Sequence, residues 1–115
     1  MTQSARLIIG ISGASGFIYG VRLLEILKKY PIETHLIISE SAERTRSEET
    51  DYTRQAVRDL ASVNYAYHDI GAAIASGSFK TLGMIIAPCS MRSLAEIANG
   101  ISSNLMTRAA DVVLR

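Results

Sequence analysis

Gly10-Ile11-Ser12-Gly13-Ala14-Ser15-Gly16 follows the apolar run Leu7-Ile8-Ile9 and precedes a helical pattern that begins near Phe17. A buried strand running into a small-residue turn and then a helix leaves backbone N–H groups unpaired at the helix N-terminus, aimed at whatever sits above the turn. Such a place suits an anion. The glycines allow a sharp turn and close backbone approach, and the Ser12 and Ser15 hydroxyls are candidate donors to phosphate oxygens. The stretch therefore reads as a phosphate cradle. The same small residues would equally let a helix pack tightly on a sheet, and the turn alone does not decide between the two.

The spacing G-x-x-G-x-x-G is neither the dinucleotide fingerprint G-x-G-x-x-G nor a Walker loop, because no Gly-Lys-Ser/Thr follows. It points to a mononucleotide. The 115 residues suffice for one domain, 1–115, with a real core, yet are short for a complete doubly wound α/β fold. A formal net charge of +1, from 12 Lys plus Arg against 11 Asp plus Glu, argues against a nucleic-acid surface. A single cysteine, Cys89, excludes an internal disulfide framework, and two separated histidines give no metal-ligand pattern. No apolar run approaches the roughly 20 residues that span a bilayer, and Met1-Thr2-Gln3-Ser4-Ala5-Arg6 does not open a signal peptide. The expectation is a cytoplasmic protein with no metal, membrane or nucleic-acid partner.

Outward from the turn, Arg6–Ile11 lacks alternation, as a central parallel strand covered on both faces would. Phe17–Tyr30 carries Val21, Leu23, Leu24, Ile26 and Leu27 against Arg22, Glu25, Lys28 and Lys29, an amphipathic helix closed by Pro31 with a basic last turn. Glu33–Ser39 is a second strand, parallel to the first through a crossover. His35 at its start reads as a half-buried, hydrogen-bonded residue. Ser39 ends the strand on the edge where open α/β sheets bind ligands. Glu40–Asp51 reads as a solvated helix with mixed charge pairs, and Thr53–Ala61 as a short helix capped by Asp51 or Thr53. Ser62–Asp69 alternates as a short strand would, and His68, without an acid or nucleophile nearby in sequence, is assigned to structure.

Ala75-Ser76-Gly77-Ser78 is a second small polar turn, ahead of a third buried strand in Met84–Ser90. Cys89-Ser90-Met91-Arg92-Ser93 then forms another strand-to-helix turn, with Cys89 a small core residue and Met91–Ala98 a helix ended by Gly100. Ser103-Asn104 caps a last helix, Leu105–Leu114. Two strand-to-helix turns on one sheet edge favour a ligand pocket.

Six ordered blocks, G-I-S-G-A-S-G-F-I-Y-G, E-T-H-L-I-I-S, E-E-T-D-Y, A-S-G-S-F, I-I-A-P-C-S-M-R-S-L-A and N-L-M-T-R-A-A-D-V-V-L, resemble the UbiX-type flavin prenyltransferases, also known as phenylacrylic or aromatic acid decarboxylase subunits. The resemblance runs from about Leu7 to Arg115. It implies a flavodoxin-like Rossmann three-layer sandwich with a parallel sheet that binds FMN. It further implies transfer of a C5 unit from dimethylallyl phosphate to N5 and C6 of reduced FMN. The prenylated FMN then serves a UbiD-type decarboxylase acting on aromatic or α,β-unsaturated acids. No metal is implied, and the family forms trimers and dodecamers.

On this sequence the resemblance places Gly13, Ala14 and Ser15 in the first FMN turn, with Ser15 near flavin N5. Ser39 is a further FMN contact, and Ser90, Met91, Arg92 and Ser93 form the second turn. Glu49 matches an acid that handles the departing phosphate. Ser76, Ser78, Arg108 and Arg115 match residues at the prenyl phosphate, Arg115 standing where the family usually has lysine. The family continues beyond this point with an Arg-Glu motif, another strand and helix, a tyrosine and a basic residue. The chain is therefore expected to be an N-terminal portion or a truncated homologue, with FMN binding without turnover as one alternative. Another is an FMN-dependent cysteine decarboxylase, disfavoured because Ala73–Gly83 holds serines where that type carries a histidine.

Overall fold

The computed structural model describes residues 5–115. Four strands, β1 (Ala5–Ile11), β2 (Ile32–Ile38), β3 (Val63–Tyr65) and β4 (Met84–Ile86), form one parallel sheet in the order β3-β2-β1-β4. Helices α1 (Phe17–Leu27), α2 (Glu40–Glu49), α3 (Arg54–Arg58), α4 (Met91–Ala98) and α5 (Leu105–Leu114) connect or follow them, with a 3₁₀ turn at Ala73–Ala75. The chain winds outward from β1 through β2 to β3, then crosses back to place β4 on the other side of β1. Strand order reverses between β1 and β4, and in open α/β sheets the crevice beyond such a reversal takes the ligand.

The uniform hydrophobicity of β1 has its reason in the two layers that cover it. Ile9, Ile11 and Leu36 pack with Phe17, Val21, Leu24, Ala42 and Val57, joining the sheet to α1, α2 and α3. Ile8 and Ile37, one residue out of phase, pack with Ile74, Leu105, Met106 and Ala109 of the 3₁₀ turn and α5. Successive strand residues point to opposite faces, so the sequence of β1 serves both cores. The result is the expected three-layer sandwich.

Four elements differ from the expectation, the first being β3, which covers only Val63–Tyr65 of the expected Ser62–Asp69. Helix α1 stops at Leu27, because the N–H groups of Lys29 and Tyr30 reach back only three residues, to Ile26 and Leu27, as the chain tightens toward Pro31. Lys28 and Lys29 thus lie past the last helical turn. Strand β4 covers only Met84–Ile86 and is an edge strand paired with β1, which leaves Ile85 41% exposed rather than buried. The short helix after Thr53 is five residues long, with Thr53 as its cap.

Candidate functional site

The first turn puts Gly16 at the N-cap of α1 with φ of 101°, a conformation that suits glycine, and with no side chain of its own to offer the helix. The missing acceptor comes from the far end of α2. Glu49 Oε1 accepts from the N–H of Gly16 at 2.9 Å and of Phe17 at 3.3 Å, while Ser15 Oγ donates to Oε2 at 2.8 Å. The anion at this helix N-terminus is therefore the chain's own carboxylate, which corrects the phosphate-cradle reading of the turn. The Gly16 N–H foremost, and the Ser15 hydroxyl with it, hold Glu49 below its ordinary value of 4.5, with a smaller push from the Phe17 N–H; partial desolvation opposes them.

Ser12 is also not a free phosphate donor. It is buried, donates to the Pro88 carbonyl at 2.8 Å and accepts from the Ser90 N–H at 2.6 Å. The next two turns behave alike. Ser39 caps α2 by accepting from the Ala42 N–H at 3.1 Å, and Ser90 caps α4 by accepting from the Ser93 N–H at 3.1 Å.

Between these capped helices lies a cavity of about 390 Å³. Ser39, Ser90, Arg92 and Ser93 line it, together with Glu40, Ser41, Tyr67, His68, Glu96, Ser103 and Asn104, and the Glu96 carboxylate lies 3.5 Å from the Arg92 guanidinium. Its hydroxyls, amide and guanidinium are hydrogen-bond donors set beside the Glu40 and Glu96 carboxylates, and its size falls in the range of about 300–1,000 Å³ typical of small-molecule sites. Met91 stands apart, 79% exposed in the first turn of α4. His68, assigned to structure from its sequence neighbours, meets Glu40 at 2.7 Å on the cavity wall. Its partner lies 28 residues away, so only the meeting of the β3 end with the α2 start reveals the pair. His35 is buried as well as hydrogen-bonded, to Tyr65 at 2.8 Å and Glu33 at 2.6 Å.

The residues assigned to the prenyl phosphate gather elsewhere. Arg108 and Arg115 of the α5 region line a cavity of about 150 Å³ with Ala75, Gly77, Ser102 and Asp111. Ser76 and Ser78 bracket Gly77 and bond to each other at 2.9 Å. Arg115 is paired with Asp111 at 2.8 Å. Glu49 lines a third, open cavity with Ile18, Tyr52 and Ala56. Of the expected site residues, Ser39, Ser90, Arg92 and Ser93 thus line one cavity, Arg108 and Arg115 a second and Glu49 a third. Cys89 is half-buried, and burial raises its thiol pKa. Among the described residues no group of three or more His, Cys, Asp or Glu could hold a metal ion, and no helix is long and apolar enough to cross a membrane.

Sheet order, helix layers and edge cavity together define a flavodoxin-like α/β protein. The chain belongs to the Flavoprotein family, which it matches over residues 1–115. It is 59% identical over 110 residues to the flavin prenyltransferase UbiX of Neisseria meningitidis serogroup B, covering 96% of this chain and 58% of that protein. Its structure is similar to that of AnUbiX in complex with FMN and dimethylallyl pyrophosphate, with a TM-score of 0.94, 42% identity, and coverage of 96% of this chain and 58% of the other. It is also similar to a dodecameric FMN-dependent UbiX-like decarboxylase from Escherichia coli O157:H7, with a TM-score of 0.93, 47% identity, and coverage of 95% and 60%. The chain spans a little under three fifths of the length of the curated relative.

Proposed function

We propose that this chain is a cytoplasmic flavin prenyltransferase, with 1–115 as one FMN-binding domain, that joins a dimethylallyl unit from dimethylallyl phosphate to reduced FMN. The prenylated product would pass to a UbiD-type decarboxylase, and the chain would work as a homo-oligomer. Likeness to flavin prenyltransferases in sequence and in fold supports the reading. The observation that carries it is the hydrogen bond between Ser15 and Glu49, on the same sheet edge as the hydroxyl-lined cavity.

In this reading Gly13, Ala14, Ser39, Ser90, Met91, Arg92 and Ser93 hold FMN, whose reduced ring supplies the nucleophilic positions when bound. Ser39 and Ser90 keep the helix ends in place, while Arg92 and Ser93 offer a cation and a hydroxyl to the phosphate and its chain. Glu49 is ionised at neutral pH, so it accepts a proton more readily than it delivers one. Through the Ser15 hydroxyl it would take up a proton released as carbon replaces hydrogen, with Ser15 donating in turn to Glu49. Arg108 and Arg115, beside the Ser76–Ser78 turn, would stabilise the charge that grows on the departing phosphate.

The test is anaerobic incubation of the chain with FMN, dithionite and dimethylallyl phosphate, followed by mass analysis of the released flavin. A flavin heavier by one five-carbon unit supports the proposal. Bound but unmodified FMN would show that these residues bind flavin without completing the transfer.

A further inference from the structure

Strands β1 and β4 are registered over three pairs, Ile8 with Met84, Ile9 with Ile85 and Gly10 with Ile86. Beyond them the Ala87 N–H donates to the Gly10 carbonyl at 2.9 Å and the Ser12 N–H to the Pro88 carbonyl at 3.1 Å. Regular pairing would bring the Ser12 N–H to the Ala87 carbonyl; it reaches Pro88 instead, one residue out of step, and the ladder ends there. The Ser12 side chain takes over. Its hydroxyl donates to the same Pro88 carbonyl at 2.8 Å and accepts from the Ser90 N–H at 2.6 Å, in a position only 1% exposed.

The chain of bonds does not stop there. Ser90 Oγ accepts from the Ser93 N–H and donates to Ser93 Oγ at 3.0 Å, and both residues line the 390 Å³ cavity. Among the described residues the Ser93 hydroxyl hydrogen is the one in this series not given to a protein acceptor. Ser12 therefore sets where Ser90 sits, and Ser90 directs Ser93.

We propose that Ser12 is a positioning residue for flavin binding, acting through Ser90 and Ser93 rather than by touching the ligand. This rests on the reading of the cavity as an FMN site. Replacing the hydroxyl leaves the Ser90 N–H without its buried acceptor and frees the start of α4 to shift.

The experiment compares the chain with Ser12→Ala and with Ser12→Cys, whose thiol is close in size but a poor hydrogen-bonding group. FMN affinity is read from flavin fluorescence, and amide hydrogen exchange is followed at Ser90, Ser93, Gly16 and Phe17. The expected result is a loss of about tenfold or more in FMN affinity, with Ser90 exchange faster by a similar factor. Gly16 and Phe17, held by Glu49, should keep their rates. Affinity within about twofold of the parent, an unchanged Ser90 amide, or equal acceleration at all four amides would each overturn the proposal. Should Ser12→Ala fail to fold, Ser12→Cys alone decides by the same criteria. If the parent chain binds no FMN, the flavin reading fails, and an unchanged Ser90 amide in the variants still separately refutes the clamp.

Discussion

Ser15 Oγ and Glu49 Oε2 are hydrogen-bonded at 2.8 Å, although 34 residues separate them. One lies in the turn after β1 and the other in the last turn of α2, so the packing of α1 beside α2 brings them together. The same carboxylate caps α1 through Gly16 and Phe17. Stability and proposed chemistry thus share one side chain.

Glu49→Gln retains an amide oxygen for the helix cap and removes the charge. The expected outcome is FMN affinity close to that of the parent with prenyl transfer slowed by about 100-fold or more, the usual scale of a lost proton acceptor. Flavin mass analysis against time measures it. An unchanged rate would sink the proton-accepting role.

The lowered Glu49 pKa also fixes a sign for pH. A carboxyl with a folded-state pKa below 4.5 adds stability that is present above that value and lost as pH falls through the folded value. Thermal midpoints taken from about pH 6 down to about pH 3 should therefore fall more steeply for the parent than for Glu49→Gln. Parallel curves would show that the carboxylate contributes nothing to the fold.

Arg108 and Arg115 border one small cavity, and Asp111 already neutralises part of Arg115. Arg108→Ala should raise KM for dimethylallyl phosphate by about 10- to 100-fold, the scale of one charged hydrogen bond, with FMN affinity unchanged. Arg115→Lys should change it less. Steady-state kinetics beside a flavin titration separates the two ligands.

Gly20 lies buried in α1, where an added Cβ would stand 2.6 Å from the Ala87 carbonyl and 2.7 Å from Ile11 Cδ1. Gly20→Ala should destabilise the chain by about 1–3 kcal/mol through overpacking, despite the better helix propensity of alanine. Denaturant unfolding gives the value, and a neutral or stabilising result would refute the close approach.

Cys89 has a pKa raised by burial, so little of it is thiolate near neutral pH. Alkylation by iodoacetamide should be slower than for free cysteine, and Cys89→Ala should leave FMN binding intact. Rapid modification with loss of binding would contradict its reading as a packing residue.

Much of the fold is legible along the chain because its signals are local. The apolar runs of β1 and β2, the period of α1, and the caps Thr53 and Asn104 each depend on residues within a few positions, whereas Ser39 and Ser90, read as ligand contacts, prove to cap α2 and α4. The serine turns and their place at the sheet edge follow from the same patterns, and Ser39, Ser90, Arg92 and Ser93 do line one cavity. Sequence spacing carries no information on pairs that meet only after the sheet has formed. The glycine turn looked open to a phosphate because nothing nearby fills it; the Glu49 carboxylate, arriving from α2, does. Ser12 looked like a ligand donor until Pro88 and Ser90 arrived from β4, and His68 lacked a partner until Glu40 came beside it. Most elements, the parallel sheet and the family likeness can be read along the chain, since these rest on local propensity and motif order. Which hydroxyls and carboxylates are spent inside the protein and which face the cavity emerges only from the packed fold, because a hydrogen bond depends on distance in space.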